Sequence, residues 1–152
     1  MEIKPADISD ARAILELQKV AYITEAELYD DYSIEPLTQT MEGMTEDFSR
    51  QRVLKAIEDG KIVGSVRAEI EGNKCVVRRL IVHPNFRNCG IGTALMNELE
   101  KMCPDAEIFE LFTGWKSANN IHLYEKLGYI CTGIKEINQN LKFVYMEKKN
   151  LK

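Results

Sequence analysis

The sequence predicts a mixed fold of the α/β or α+β class, in which helices cover a β-sheet. Three observations support this prediction: a helical N-terminal part, an antiparallel meander with hairpin turns, and a closing strand–helix–strand–helix–strand order. The chain has 152 residues, of which 45% are hydrophobic, enough for a sizeable core. Residues 1–152 are therefore expected to form a single domain.

The N-terminal half is predicted to contain three strands and two helices. The strands are expected at residues 2–5, 52–58 and 61–71. Asp7 to Ser9 offers N-cap chemistry for a helix that runs to about Tyr22. A second helix is expected near Pro36 or Leu37, because proline is tolerated in a first turn. Asp59-Gly60 is a turn signal of the hairpin kind.

The C-terminal half is predicted to contain four strands and two helices. The strands are expected at residues 76–82, 108–112, 129–137 and 141–147. His83-Pro84 ends the first of them, because proline cannot donate to a ladder. A helix follows the glycine turn and covers residues 93–101. Another is expected from Ser117, a suitable N-cap, to Leu127, with Gly128 as its left-handed end.

The composition of the chain argues against nucleic-acid, membrane and metal partners. The net charge of −4 argues against nucleic acid, whose binding proteins usually show a basic surface. No apolar run approaches the roughly 20 residues of a bilayer span, and no signal peptide is visible, so a cytoplasmic protein without a membrane partner is expected. The four cysteines form no CxxC pair, so no metal site is expected and the thiols should be reduced.

The glycine turn before the predicted helix at residues 93–101 is a candidate anion site. A helix N-terminus presents unpaired N–H groups, and Gly90 and Gly92 allow a ligand to approach the backbone. The P-loop pattern fails because no glycine is followed by Lys and Ser or Thr. The dinucleotide pattern fails because Leu95 stands where it needs glycine or alanine. The two glycines alone also suit a tight strand-to-helix turn.

Two segments resemble the GNAT superfamily of N-acetyltransferases. The sequence RNCGIG at 87–92 matches the family's Q/R-x-x-G-x-G/A element, and NNIHLYEKLGY at 119–129 resembles its Y-x-K-x-G-F/Y signature. The element order from Glu2 to Lys149 is also similar to that family. The resemblance implies a GNAT-like mixed, mostly antiparallel central sheet of about seven strands with about four helices. It also implies acetyl-coenzyme A as cofactor and direct acetyl transfer to an amine.

The resemblance assigns cofactor contacts residue by residue. The pyrophosphate is expected on the backbone amides of Arg87, Asn88, Cys89, Gly90, Ile91 and Gly92, with Thr93 in the first turn of the helix. The pantetheine arm is expected beside the backbone of Leu80, Ile81 and Val82, pairing like an added strand. Ser117 stands where the family often has an asparagine, so Asn119 and Asn120 are further candidates for the pantetheine contact.

The same resemblance assigns catalytic roles. Tyr124 corresponds to the usual proton donor to the departing thiolate. Glu69 is the candidate general base, with Glu71 beside it; both also suit solvated strand positions. Proton transfer from a phenol near pKa 10 to a thiolate near 8.5 is uphill by about 2 kcal/mol, which a catalysed reaction can supply.

The acidic segment from Thr24 to Thr40 is the candidate acceptor site. Its predicted contacts are Glu27, Tyr29 and Tyr32, which would attract a small amine, a polyamine or a protein amino group. An ordinary solvated acidic loop explains the composition equally well.

Three classes of function compete. An N-acetyltransferase leads, and a non-catalytic acyl-coenzyme A-binding or sensing module on the same fold is the alternative. A nucleotide-binding domain is disfavoured by the missing lysine and third glycine. A homodimer is possible, since members of the resembled family often pair through their C-terminal strands.

Overall fold

A computed structural model describes residues 1–151 and contains one seven-stranded sheet with helices on both faces. The strands are β1 Glu2–Pro5, β2 Arg52–Glu58, β3 Lys61–Glu71, β4 Lys74–Val82, β5 Ile108–Gly114, β6 Ile130–Glu136 and β7 Lys142–Lys149. The helices are α1 Ala11–Tyr29, α2 Glu35–Thr38, α3 Met41–Arg50, α4 Ile91–Met102 and α5 Ala118–Lys126. Short 3₁₀ segments cover Ile8–Asp10 and Pro84–Phe86. No helix within the described range is long and apolar enough to cross a bilayer.

The strand order is β1-β2-β3-β4-β5-β7-β6, and every neighbouring pair is antiparallel except β4 with β5. The predicted mixed, mostly antiparallel sheet of seven strands is therefore confirmed. One face packs against α4 and α5, with Leu95, Leu99, Phe109 and Tyr129 in the main core. The other face packs against α1 and α3 around Ile14.

Helix α1 is longer than the sequence indicated. It was expected to end near Tyr22 but continues to Tyr29, where Asp30 takes a left-handed φ of 49°. The buried stripe continues through Ala26 and Tyr29, whereas Glu27 between them is exposed. Glu25, before Ala26, lines a cavity. Glutamate and alanine are good helix formers, so the acidic composition does not interrupt the helix.

The predicted second helix is divided into two. Glu35–Thr38 forms the single turn α2, with Pro36 in its first turn. Helix α3 then starts after Thr40, whose hydroxyl accepts the Gly43 N–H at 3.1 Å. Residues 1–151 therefore contain five helices where about four were predicted.

A buried polar network joins these helices to the sheet. The Arg67 side chain is 1% exposed; it donates to Asp47 Oδ2 at 2.9 Å and to the Gln18 side-chain oxygen. Gln18 donates to the Pro36 carbonyl and to Gln39, each at 2.9 Å. A buried cation needs such partners, because desolvation is costly without them. The network fixes α1, α2 and α3 over β3.

Strand β4 contains a β-bulge. Arg67 is opposite Arg78, and Ser65 is opposite Ile81, so two β4 residues face one β3 residue between these pairs. Arg79, within the bulge, has a φ of 53°. The bulge bends β4 over its last few residues.

Strands β4 and β5 separate soon after they begin. Their parallel pairing covers only Lys74 to Val76 with Ile108 to Glu110. Strand β5 remains paired with β7 over its whole length. The part of β4 after Val76 therefore has no strand partner on the β5 side, and a gap opens in the sheet.

Gly114, at the end of β5, leaves room for Tyr29 of α1. A Cβ at this position would overlap the Tyr29 hydroxyl oxygen. That hydroxyl accepts the Lys116 N–H at 2.9 Å and lies 3.2 Å from Ser117 Oγ. Glycine is required here because α1 contacts the backbone of the β5–α5 connection directly.

We expect Gly114→Ala to lower the free energy of unfolding by about 2 kcal/mol, because Tyr29 must move and lose these hydrogen bonds. Gly133→Ala is the matched control, since a Cβ at this β6 position would meet nothing within 4 Å. Urea denaturation followed by circular dichroism measures both. Equal unfolding midpoints for the two variants would contradict the role given to Gly114.

Candidate active site

The turn before α4 forms an open concavity rich in N–H groups. Gly90 is the N-cap with a φ of 81°, and Asn88 has a φ of 62°. The Ala94 N–H donates to the Gly90 carbonyl at 3.0 Å, so the three preceding amides have no acceptor within the helix. A Cβ at Gly90 would meet nothing within 4 Å, so the concavity is accessible. Such a turn suits a phosphate group.

Arg87 anchors this turn to α1. Its guanidinium donates to Thr24 Oγ1 at 2.7 Å and to the Ala21 carbonyl at 2.9 Å. The predicted cofactor contact at Arg87 concerns its backbone amide, and the side chain holds the loop in place. Cys89 is exposed at the tip of the turn, whereas Ile91 is buried in the core.

The gap exposes one edge of β4. Ile81 and Val82 are paired with Ser65 and Gly64 of β3, and the opposite edge has no β5 partner beyond Val76. Backbone groups of Leu80 to Val82 on that edge are available to an extended ligand. A linear chain carrying amides can pair with them as an additional strand would.

A cavity of about 620 Å³ lies between the separated strands and α1. Its walls come from α1, the loop before α2, the ends of β3 and β4, the end of β5, α5 and the β6–β7 connection. Tyr22, Glu25, Tyr29, Glu69, Arg78, Arg79, Asn120 and Tyr124 are among the lining residues. Polar groups from distant parts of the sequence therefore meet in one space.

Tyr124 is placed in this cavity by the inner face of α5. Its side chain is buried, and its ring packs edge-on against Tyr129 at a centroid distance of 5.9 Å. Burial raises the pKa of Tyr124, and the nearby Tyr22 and Glu25 raise it further. The phenol therefore keeps its proton at neutral pH.

Glu25 is a functional candidate that the sequence did not single out. One of its carboxylate oxygens accepts from Ser117 Oγ at 2.6 Å, and the other accepts from Asn120 Nδ2 at 3.3 Å. Burial raises the pKa of Glu25, opposed by the Ser117 hydrogen bond and the charge of Arg87. Its spacing from Tyr22 and Tyr29 in a longer helix would have placed it on their face.

The predicted acceptor and base residues lie in different places. Glu69 lines the cavity, where it accepts from Gln51 Nε2 at 2.9 Å and lies 3.8 Å from Arg78 Nε. Tyr29 also lines it, but its hydroxyl is engaged with the β5–α5 connection. Glu27 and Tyr32 are exposed and are not among the lining residues.

The three candidates near the start of α5 are also separated. Asn120 lines the cavity and contacts Glu25. Ser117 is buried and its hydroxyl is used by Glu25, so it acts within the protein. Asn119 is exposed outside the cavity lining.

Comparisons with known proteins agree with this architecture. A family model described as an acetyltransferase (GNAT) domain matches residues 21–150. The UPF0157 protein YqkA of Bacillus subtilis is 30% identical over 119 residues, which are 78% of this chain and 34% of that protein. The chain thus spans about a third of the length of this curated relative.

Solved structures share the fold at low sequence identity. The ribosomal-protein-S18-alanine N-acetyltransferase of Escherichia coli superposes with a TM-score of 0.81 at 15% identity, over 97% of this chain and 92% of that one. PaiA N-acetyltransferase of Thermoplasma acidophilum, solved in complex with coenzyme A, gives 0.78 at 21% identity, over 97% and 98%. With the family match over most of its length, the chain belongs to the GNAT acetyltransferase family.

Proposed function

We propose that the protein is an acetyl-coenzyme A-dependent N-acetyltransferase that transfers the acetyl group directly to an amine. The observation that carries this proposal is the gap between β4 and β5. The gap leaves one backbone edge of β4 free, and the chain continues from β4 towards the amide-rich turn before α4. The cavity at the gap is lined by the buried Tyr124. Membership of the GNAT family and the coenzyme A-bound Thermoplasma neighbour support the same activity.

The residues present suit the cofactor. The amides from Arg87 to Gly92, with Thr93 in the first helical turn, would hold the pyrophosphate, since Gly90 leaves that concavity open. The backbone of Leu80 to Val82 would hold the pantetheine arm. Asn120 is the α5 candidate for a further contact, because Ser117 is engaged elsewhere and Asn119 lies outside. Bound acetyl-coenzyme A supplies the activated acetyl group.

Tyr124 is the proposed proton donor to the departing sulfur. An ordinary tyrosine would donate to a thiolate near pKa 8.5 at a cost of about 2 kcal/mol. Burial raises the Tyr124 pKa, so the gap is larger and the phenol stays neutral until negative charge develops beside it. The donation therefore accompanies cleavage of the C–S bond.

A general base must remove a proton from the amine, because alkyl amines are mostly protonated at neutral pH. Glu25 fits this role better than the predicted Glu69. Glu25 is desolvated, and its raised pKa makes it a stronger base than an ordinary glutamate. The Glu69 carboxylate instead accepts from Gln51 and lies 3.8 Å from Arg78 Nε. Glu69 remains the second candidate.

The wider expectations from the sequence remain proposals. The proposed acceptor is an amine. Of its three predicted contacts, Tyr29 lines the cavity, whereas Glu27 and Tyr32 are exposed outside the lining. We also propose that residues 1–152 form one domain, that the protein is cytoplasmic and that it forms a homodimer. Strand β6 is a sheet edge with Ile130 and Ile134 exposed by 67% and 65%, which suits pairing between C-terminal strands.

We expect Tyr124→Phe to lower kcat by about 10²-fold or more, because the departing thiolate loses its proton donor. Thiol release from acetyl-coenzyme A across an amine panel measures turnover, and isothermal titration checks that cofactor affinity is retained. Tyr145→Phe is the control, since Tyr145 is not among the residues that line the cavity. Unchanged turnover in Tyr124→Phe would refute the acid role. Tight cofactor binding without thiol release for any amine would favour the non-catalytic module.

The raised Glu25 pKa predicts a pH dependence. Only the ionised carboxylate accepts a proton, so kcat/KM should rise with pH through an acidic limb lying above the ordinary value of 4.5. In Glu25→Gln this limb should disappear and the plateau should fall by about 10²-fold. The surface variant Glu125→Gln is the control on α5. If Glu69→Gln lost the acidic limb of the pH profile while Glu25→Gln kept the wild-type profile, the general base would be Glu69.

A further inference from the structure

We propose that Arg78 and Arg79 form a subsite for a carboxylate group of the acceptor, so that the acceptor is an amine that also carries a carboxylate, as amino acids do. The inference rests on the proposed function, because it names the substrate class for the same cavity. Both arginines line that cavity, on the wall formed by β4.

The bulge in β4 brings the two arginines together. Successive residues of a regular strand point to opposite faces of the sheet, so Arg78 and Arg79 should be separated by it. The extra β4 residue and the φ of 53° at Arg79 change this alternation. Both side chains then reach the cavity from neighbouring positions. L-residues rarely adopt this φ, so the wall is built at a conformational cost.

Both guanidinium groups have donors left over. The carboxylate oxygens near Arg78, from Glu69 and Glu71, lie at 3.8 and 3.9 Å, too far for hydrogen bonds. Arg79 contacts Glu35 at 3.2 Å, but the Glu35 side chain is 80% exposed, so water can replace it. Within residues 1–151 the buried Nε atoms of both arginines have no hydrogen-bond partner. A planar carboxylate suits such donors.

The adjoining Arg67 makes this wall more positive. Its pKa is lowered to about 10, first by burial and then by the charge of Arg79. Asp47 and Gln18 accept hydrogen bonds from its two terminal nitrogens, so these donors of Arg67 are already used within the protein. A carboxylate bound to Arg78 and Arg79 would reduce the repulsion between these cations.

The rest of the cavity suits the amine end of the same molecule. Glu25 lies beside Ser117 and Asn120 of the α5 region, near Tyr124, and is the proposed acceptor of the amine proton. The lining includes four arginines and five carboxylates, so its charges nearly balance. A zwitterion suits this lining better than a polyamine or a dianion, because it presents one charge to each wall.

The test uses matched acceptors that differ only in the anionic group. Thiol release is measured with amino acids of increasing spacing between amine and carboxylate, with their carboxamides, and with the amines that lack the group. We expect kcat/KM for the best acid to exceed that of its carboxamide by about 10-fold or more, since a charged hydrogen-bonded pair is lost.

Variants then locate the effect. In Arg78→Gln and Arg79→Gln the ratio of kcat/KM for the acid to that for its carboxamide should fall about 10-fold, through a higher KM for the acid. Arg12→Gln, at an exposed position of α1, should leave the ratio as in the wild type. Glu35→Gln should lower KM for the acid, because it removes the competing carboxylate from Arg79. Thermal unfolding confirms that each variant folds.

The outcomes separate this inference from the proposed function. Thiol release that is equal for acids and carboxamides, or that favours polyamines or phosphate-bearing amines, overturns the carboxylate subsite and leaves the acetyltransferase standing. Absence of thiol release with every acceptor overturns the proposed function. In that case calorimetric titration of the same acids and carboxamides, with coenzyme A present, still tests the subsite: equal affinities overturn it, and preference for the acid supports it.

Discussion

The short pairing between β4 and β5 is the constraint on which the rest of the site depends. Three residue pairs join the strands, and beyond Val76 they separate because β5 follows β7 while the bulge bends β4. A closed sheet would use every backbone group in its ladders and leave no space between them. The separation produces two features at once: a free β4 edge and a cavity beside it.

Helix α1 holds these features in position. Gln18 joins it to α2 and α3 through the Arg67 network. The Ala21 carbonyl accepts a hydrogen bond from the Arg87 guanidinium of the glycine turn. One and two turns further on, Glu25 and Tyr29 contact Ser117 and Lys116, just before α5. A single helix thus contacts the proposed phosphate turn, lines the cavity and reaches the connection before the helix that carries Tyr124. Seven additional residues beyond Tyr22 are what allow it to reach α5.

Most of the fold could be predicted from the sequence because its signals are local. Alternating apolar residues and hairpin turns located β2 and β3 correctly at both ends. The end of α1 was missed because its acidic residues concealed a buried stripe that is set by tertiary packing. The bulge at Arg79 has no sequence signal, since arginine is not a residue that marks a left-handed position. The sequence does not distinguish Glu25 from the other acidic residues of its segment, because only the longer helix places it beside Ser117.

The donor and acceptor sides of the proposed site are built from different parts of the chain. The donor side is mainly backbone, the amides of the turn and the edge of β4, so many side-chain changes would leave it intact. The acceptor side consists of side chains from α1, the α1–α2 connection and the bulged strand. Backbone groups recognise an extended amide chain regardless of sequence, whereas side-chain charges select one acceptor over another. On the proposed function, selectivity for the acceptor therefore resides in residues such as Glu25 and Arg79, which lie outside the motifs that reveal the family.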